Sequence, residues 1–567
     1  MYSVSGPTSP PVAAHRAVRQ STISYASGTS TEPLLGETVG ANLAATVARY
    51  PDREALVDVR TGRRWSYAQL AIQVELVARG LLGLGIAKGD RVGIWAPNCA
   101  EWVFLQYATA RVGAILVNVN PAYRVSELAH ALRQSGVRLL VSATSFRSSD
   151  YVAMVDEVAV SCPQLERTVY IGTESWAELK DTAAGVAVSE LVDREATLSF
   201  DDPINIQYTS GTTGQPKGAT LSHHNILNNG YFVGGVCGYT EADRICVPVP
   251  LYHCFGMVLG NLGATSRGAT IVLPAPAFDP DATLRAVQDE RCTSLYGVPT
   301  MFIAMLQSPQ RAGLDLASLR TGIMAGSPCP VEVMKRVVDE LGMREVTICY
   351  GMTETSPVST QTRRGDDLER RVSTVGTVHP HVEVAIVDPE TGRAVPRGTA
   401  GELCTRGYSV MLGYWNQPDK TDEVIDGAGW MHSGDLATMD VDGYLNIVGR
   451  IKDMVIRGGE NIYPREIEEF LYAHPDIADV QVIGVPDRRY GEELMAWVRM
   501  RDGAAPLDAA ALRTYCDGKL AHFKIPRYVH VVTEFPMTVT GKVRKVEMRE
   551  RAIELLGLRE QADQPTA

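Results

Sequence analysis

Short apolar runs rich in β-branched residues, each closed by glycine or proline, alternate along the chain with longer helical patterns. Arg91-Val-Gly-Ile-Trp-Ala-Pro97, Val137-Arg-Leu-Leu-Val141 and Ala269-Thr-Ile-Val-Leu-Pro274 are runs of this kind. The alternation predicts α/β layering around substantially parallel sheets. Beyond about residue 380 the strands shorten and turns at Asp388-Pro-Glu-Thr-Gly392 and Asp440-Val-Asp-Gly443 punctuate them, which predicts a small β-rich subdomain. The segment Gly449 to Pro464 then leads into a helix with Pro464 in its first turn, acids Glu466, Glu468 and Glu469 near its start, and Ile467, Phe470 and Leu471 on one face. About 115 residues remain after that point, enough for a separate compact α/β domain. The expected division is a disordered tail over 1–38, a large N-terminal domain over 39–449 and a small C-terminal domain over 450–567.

Composition narrows the class. At 567 residues and 45% hydrophobic content the chain can bury large cores. Lys+Arg 54 against Asp+Glu 66 give a net charge of −12, which repels phosphate backbones, so nucleic acid is not an expected partner and any anion must be captured locally. The ten cysteines include no Cys-x-x-Cys pair and read as buried free thiols in a reducing compartment. Apolar stretches such as Gly113-Ala-Ile-Leu-Val117 are strand-sized and fall short of a bilayer span, leaving at most peripheral membrane contact. Residues 1 to 31 hold no acid and only Arg16 and Arg19 as strong bases, which suits a disordered tail and a cytoplasmic protein. A transit peptide over residues 1–38 would instead place the protein in a mitochondrial matrix.

Four segments carry candidate chemistry. Thr209-Ser210-Gly211-Thr212-Thr213-Gly214-Gln215-Pro216-Lys217-Gly218 combines glycines, hydroxyls and one lysine, the makings of a phosphate cradle. It is not a Walker loop, because Pro216 stands where a second glycine is required and Gly218 follows the lysine in place of Ser or Thr. A flexible linker has a similar composition. Tyr350-Gly351-Met-Thr353-Glu354-Thr355 follows a strand-like run, where open α/β sheets bind ligands; Tyr350 can stack on a base, Thr353 donate to phosphate and Glu354 hold Mg²⁺, although Thr-Glu-Thr also begins helices. Asp435 follows a glycine turn in Met431-His-Ser-Gly-Asp-Leu436, with Arg450 across an Asp-Gly hairpin; the pair can hold a ribose or be ordinary surface charges. Lys542 stands alone after a glycine in Phe535-Pro-Met-Thr-Val-Thr-Gly-Lys542.

These segments, with Gly449 to Pro464, resemble in content and order the adenylate-forming superfamily of acyl-CoA synthetases, luciferases and nonribosomal adenylation domains. The resemblance covers nearly all of the chain after about residue 38 and looks closest to medium-chain fatty acyl-CoA synthetases. It implies that Thr209 to Gly218 grips the β- and γ-phosphates of ATP, that Gly326 and Ser327 with Tyr350 and Gly351 hold the adenine, that Thr353 meets the α-phosphate and that Glu354 is the Mg²⁺ ligand. It further implies that Asp435 and Arg450 bind ribose, that Lys542 bridges α-phosphate and carboxylate, and that Lys452 is the hinge of a mobile small domain. Gly459 would line the channel through which the CoA thiol arrives.

For the acid, Pro250-Leu-Tyr-His253-Cys-Phe-Gly256 resembles the segment that gates the acyl tunnel in fatty-acyl and aryl-CoA synthetases, with His253 as the gate. The segment has no aspartate for a substrate ammonium, so an amino acid is not expected. Val298, Met301, Met257, Val258 and Leu259 are the expected apolar walls, and Gly256, Gly260 and Gly263 are expected to leave room beside them. Together they point to a linear aliphatic acid of medium or longer length. The alternatives are a fatty acyl-AMP ligase loading a carrier protein, an aryl-CoA ligase and a non-catalytic adenylate sensor.

Overall fold

The strands nearest the centre of the molecule are apolar on both faces: every residue of Ile115–Asn118, Ser294–Gly297 and Thr321–Ala325 is buried. Strands of that kind need helices on both sides, and their parallel neighbours require the crossovers that supply those helices. The computed structural model describes residues 22–209, 216–458, 460–538 and 542–559. In the described residues the parallel strands form two large sheets. One runs Gly413–Tyr414, Lys217–Ser222, Pro203–Thr209, Ile115–Asn118, Arg91–Trp95, Val137–Ser142, Arg167–Tyr170, parallel from Pro203–Thr209 onward and antiparallel before it. The other has nine strands, with Glu345–Gly351, Thr321–Ala325, Ser294–Gly297, Arg244–Cys246, Thr270–Leu273 and Glu54–Asp58 in a parallel centre and antiparallel strands at both edges.

Local sequence explains the helix starts that carry strands into position. At Tyr67–Gly83 the Ser66 hydroxyl accepts from the Gln69 N–H while the Gln69 amide oxygen accepts from the Ser66 N–H, so two otherwise orphaned donors are satisfied reciprocally. The same device opens His223–Val236, where Ser222 and Asn225 exchange such bonds and the Asn225 amide also donates to the carbonyls of Tyr408 and Val410. That second cap ties the strand leaving the glycine-rich hairpin to the chain just before Gly413–Tyr414.

The expected β-rich subdomain is a five-stranded antiparallel sheet, Tyr25–Ser27, Val382–Val387, Gly401–Gly407, Met431–Met439, Leu445–Arg450. Its first strand corrects the reading of a disordered tail over 1–38 for residues 22–38; residues 1–21 lie outside the described residues. Tyr25–Ser27 pairs with Val382–Val387, the buried Ser24 hydroxyl donates to the Pro396 carbonyl, and Leu35 exchanges backbone hydrogen bonds with the Asn228 side chain. A polar, acid-free segment is held here because its backbone completes a sheet edge, a gain that composition does not register.

One apolar core runs from Val39 to Leu445; separate clusters begin at Val455 and Ile483 in the small domain. Between the cores lies the single turn Ile451–Asp453. The small domain packs the helix Pro464–Tyr472 on the five-stranded sheet formed by Glu460–Ile462, Val455–Arg457, Gly491–Met500, Ile477–Asp487 and Tyr528–Val531. Leu471, fully buried in that helix, makes a direct test: Leu471→Ala is expected to destabilise the small domain by about 2–5 kcal/mol, read in chemical denaturation as a shifted midpoint.

Candidate active site

Asp435 sits at a register pair between two strands, directly opposite Arg450. Its backbone is aimed by the turn before it: Gly434 takes φ +70°, and the Ser433 hydroxyl accepts from the Asp435 N–H while donating to the Leu403 carbonyl. The carboxylate is only 8% exposed. Its two oxygens are used by different sheets, Oδ2 accepting from the Tyr350 hydroxyl at 2.7 Å and Oδ1 from Arg450 Nε at 3.0 Å. Burial and the Asp435 charge push the Tyr350 hydroxyl well above its ordinary value, so it remains a donor. Arg450 closes the group from the last residue of its strand, two residues before Lys452 in the turn to the small domain.

Tyr350 and Gly351 end the strand Glu345–Gly351, and Thr353–Thr355 forms a single helical turn beyond it. Gly351 is required by packing, since a Cβ there would meet the Pro357 carbonyl oxygen at 1.7 Å. Thr353 and Glu354 are both buried. Glu354 Oε1 accepts from the Tyr414 hydroxyl at 2.8 Å, and its backbone carbonyl accepts from the Met411 N–H. Over the ring of the same tyrosine, at 4.8 Å from its centroid, lies the Lys217 ammonium. Tyr414 thus joins the lysine of the glycine-rich segment to the acidic residue of the second motif. That segment is the connection of a hairpin in which Thr209 pairs with Lys217 and Tyr208 with Gly218, and His130 Nε2 lies 3.2 Å from the Pro216 carbonyl. Ser210, Gly211, Thr212, Thr213, Gly214 and Gln215 lie outside the described residues, as does Gly459. Gly326 and Ser327 follow the strand Thr321–Ala325, neighbour to the strand that carries Tyr350; Gly326 is exposed at φ +91°.

Lys542, from the small domain, is coupled electrostatically to this group. Burial and the Arg450 guanidinium push its ammonium below the ordinary lysine value, while the charges of Glu354 and Asp435 and the Cys254 thiol oppose the shift. His253 feels the same lysine: burial first, then the Lys542 charge, hold its imidazole down at about 3. Its Nδ1 accepts from the Phe255 N–H at 3.3 Å, which leaves the proton on Nε2. The imidazole is a neutral donor, with no role as a general base near neutral pH.

A buried chain of amides that sequence reading did not anticipate leads to Cys254. Asn118 donates to the Tyr252 carbonyl and towards Met257 Sδ, Asn205 to Asn118, Gln207 to Asn205 and towards Met257 Sδ, and the Cys254 thiol to Gln207. Burial holds the Cys254 thiol up at about 12, so it is an inert donor in this floor. The floor continues into Phe255–Leu262, whose turns are wide, with i→i+5 hydrogen bonding. Here the expected room beside the walls needs correction. A Cβ on Gly256 would lie 2.3 Å from the Pro250 carbonyl oxygen and one on Gly260 2.9 Å from Val247, so both glycines permit close packing. Val298, Met301, Met257, Val258 and Leu259 are all buried in the large apolar core.

A buried carboxylate with one oxygen fixed by Tyr414 is a hard anionic donor suited to a divalent cation such as Mg²⁺, so Glu354 fits that ion. No helix among the described residues is long and apolar enough to cross a membrane.

Residues 43–415 match the family described as AMP-binding enzyme, and residues 466–542 match the AMP-binding enzyme C-terminal domain. A protein of Bacillus subtilis (strain 168) that bears the name of an acyl-CoA synthetase is 48% identical over 544 residues, 93% of this chain and 99% of its own length. The mitochondrial medium-chain acyl-CoA ligase ACSF2 of Danio rerio is 47% identical over 560 residues, 95% of this chain and 92% of its own. Among solved structures, the anthranilate CoA ligase AuaEII in complex with anthranoyl-AMP superposes with a TM-score of 0.83 at 27% identity, over 93% of this chain and 99% of that one. With well over half of its length matched in this way, and with Lys217, Glu354, Asp435, Arg450 and Lys542 gathered as described, the chain belongs to the AMP-binding enzyme family.

Proposed function

We propose that the protein is an AMP-forming acyl-CoA synthetase that activates aliphatic carboxylic acids of medium chain length. A carboxylate oxygen attacks the α-phosphorus of ATP, giving acyl-AMP and releasing pyrophosphate; the CoA thiol then attacks the acyl carbon, releasing AMP and a proton. Both partners of the first step are anionic, so the reaction needs fixed positive charge where they meet. The observation that carries this reading is the joining of Tyr350, Asp435 and Arg450 by hydrogen bonds, and of Glu354 and Lys217 through Tyr414, with the Lys542 charge coupled to the same residues.

Each neighbour has a part. Asp435 accepts from the ribose hydroxyls and Arg450 donates to them. Tyr350 and Gly351, with Gly326 and Ser327, flank the adenine. Lys217 and the cradle from Thr209 hold the outer phosphates, and Thr353 donates to the inner one. Glu354 would hold Mg²⁺, which would supply positive charge to the phosphates. Tyr414 keeps the Glu354 carboxylate turned towards the phosphates and the Lys217 ammonium apart from it. His253, neutral with its proton on Nε2, stands at the mouth of the acid site. Once acyl-AMP has formed, Lys542 is no longer needed at the phosphate, and rotation about Lys452 would bring Gly459 and the CoA channel in its place. The apolar walls and the name of the Danio rerio relative support an aliphatic acid of medium length, each buried methylene adding roughly 0.8 kcal/mol.

Four outcomes check this account. Across a C4 to C16 series with CoA as acceptor, turnover is expected to peak at medium length; a preference for aromatic acids or acetate rejects the aliphatic assignment, and accumulation of acyl-AMP without acyl-CoA favours a carrier-protein acceptor. Lys542→Ala should lower adenylation by roughly two to three powers of ten in pyrophosphate exchange while sparing thioester formation from supplied acyl-AMP. Tyr414→Phe, which removes the hydrogen bond to Glu354 and keeps the ring under Lys217, should slow adenylation by about tenfold to a hundredfold at saturating ATP. Adenylation needs charged Lys542, and its ammonium is lowered, so the rate should fall as pH rises at values below the ordinary lysine 10.5. Lys542→Arg should move that limb upward, and His253, held at about 3, should contribute no limb between about pH 5 and 8.

A further inference from the structure

Away from the face that meets ATP, the strand that carries Asp435 joins its neighbour through a cluster for which adenylation has no use. Cys404 and His432 are register partners on Gly401–Gly407 and Met431–Met439, and Glu402 lies two residues before Cys404, on the same face of its strand. Cys404 Sγ is 3.4 Å from His432 Nδ1, and Glu402 Oε2 is 2.8 Å from that same nitrogen. One ligand atom from each of the three residues lies within 4.8 Å of the others. Since thiol and carboxylate both face Nδ1, the arrangement is not a nucleophile–base–acid relay, which would use opposite ring nitrogens.

We propose that Glu402, Cys404 and His432 form a binding site for one Zn²⁺ ion, with water in the fourth position. Zinc takes thiolate, imidazole and carboxylate at about 2.3, 2.0–2.1 and 2.0–2.2 Å, which in a tetrahedron sets ligand atoms roughly 3.3–3.6 Å apart. The sulfur–nitrogen pair already meets that spacing, and the carboxylate need withdraw by only about half an ångström. Behind the Nδ1 ligand, His432 Nε2 lies 3.9 Å from Asp426 Oδ2, the carboxylate that would take the ring proton once Nδ1 is metallated. Asp426 is itself held, its Oδ1 accepting from the N–H groups of Ala428 and Trp430. Cys404 is backed by Ala385 and Val387, with Tyr25 and Trp430 packed on them, a dry wall on the sulfur side. The His432 side chain is 32% exposed and Asp426 42%, which leaves a path from solvent.

Binding balances as the loss of one proton. The Cys404 thiol, kept protonated by burial and by the charges of Glu402 and Asp426, releases its proton to solvent, and the imidazole binds through Nδ1 with its ring proton on Nε2. The consequence for the molecule lies in Glu402, whose other oxygen accepts from the Gly434 N–H at 2.9 Å. An ion on Glu402 and His432 therefore clamps the Ser433–Gly434 turn from both ends and fixes the residue that follows it, Asp435.

The test is metal titration of the full chain after chelator treatment, and it does not depend on the enzymatic reading. Wild type should take up one equivalent of Zn²⁺ in competition with a chromophoric chelator, with about one proton released when calorimetry is repeated in buffers of different ionisation enthalpy. Co²⁺ in place of Zn²⁺ should show thiolate-to-metal charge transfer in the near ultraviolet together with tetrahedral visible bands. Cys404→Ser should abolish the charge-transfer band and weaken Zn²⁺ by about a hundredfold, and Asp426→Asn should weaken it by about tenfold with the band retained. Should Cys404→Ser fail to fold by circular dichroism, His432→Gln, altered at the half-exposed ligand, must weaken Zn²⁺ by a comparable factor. Absence of stoichiometric uptake by wild type, uptake without proton release, or an unchanged affinity in either ligand variant overturns the site.

Discussion

The carboxylate of Asp435 is the joint on which this active site turns. One oxygen belongs to Tyr350, at the end of a parallel strand in the nine-stranded sheet, and the other to Arg450, at the end of the antiparallel sheet. A buried carboxylate left unpaired would cost several kcal/mol, so both partners must stay in place once it is enclosed. This ties together two sheets that share no strand, and it holds the last residue before the inter-domain turn to both. Lys542 then meets a field that is already set, with Arg450 repelling it and Asp435 and Glu354 attracting it.

On the proposed reaction, that balance suits a lysine carried on a separate domain. An ammonium lowered by burial and by a neighbouring guanidinium is costly to keep in place without anionic phosphate and carboxylate to offset it. Its presence is favoured while those charges are there and less so after pyrophosphate departs. A domain joined through the single turn Ile451–Asp453, with an apolar core of its own, can respond to that change without unfolding either body.

The amide floor does a different job. Asn118, Asn205 and Gln207 project from neighbouring parallel strands and pass hydrogen bonds from one to the next until the Cys254 thiol is reached. Fully satisfied polar chains in a core specify one arrangement where an apolar layer would allow several. Here they fix the wide-turned helix Phe255–Leu262, and with it His253 and Met257, against those strands. Gly256 and Gly260 let that helix lie directly on Pro250 and Val247, which is why glycines that suggested open space in the sequence prove to be contact points.

Much of this was legible from the amino-acid sequence because it is local. The double-sided apolar runs fix the parallel strands, Pro464 and the acids after it begin their helix, and Lys217, Glu354, Asp435 and Lys542 each sit in a short segment whose residue types already imply anion or cation chemistry. Tertiary structure alone decided what is long-range. The Tyr414 bond to Glu354 spans 60 residues and the Tyr350 bond to Asp435 spans 85, so nothing in the neighbourhood of either tyrosine marks it as a partner. The strand Tyr25–Ser27 looks like a tail because its stabilisation comes from backbone groups of a distant strand, which side-chain composition cannot encode. Register has the same character: Cys404 faces His432 only because two strands pair in one phase, and a slip of one residue would turn either side chain to the opposite face of the sheet.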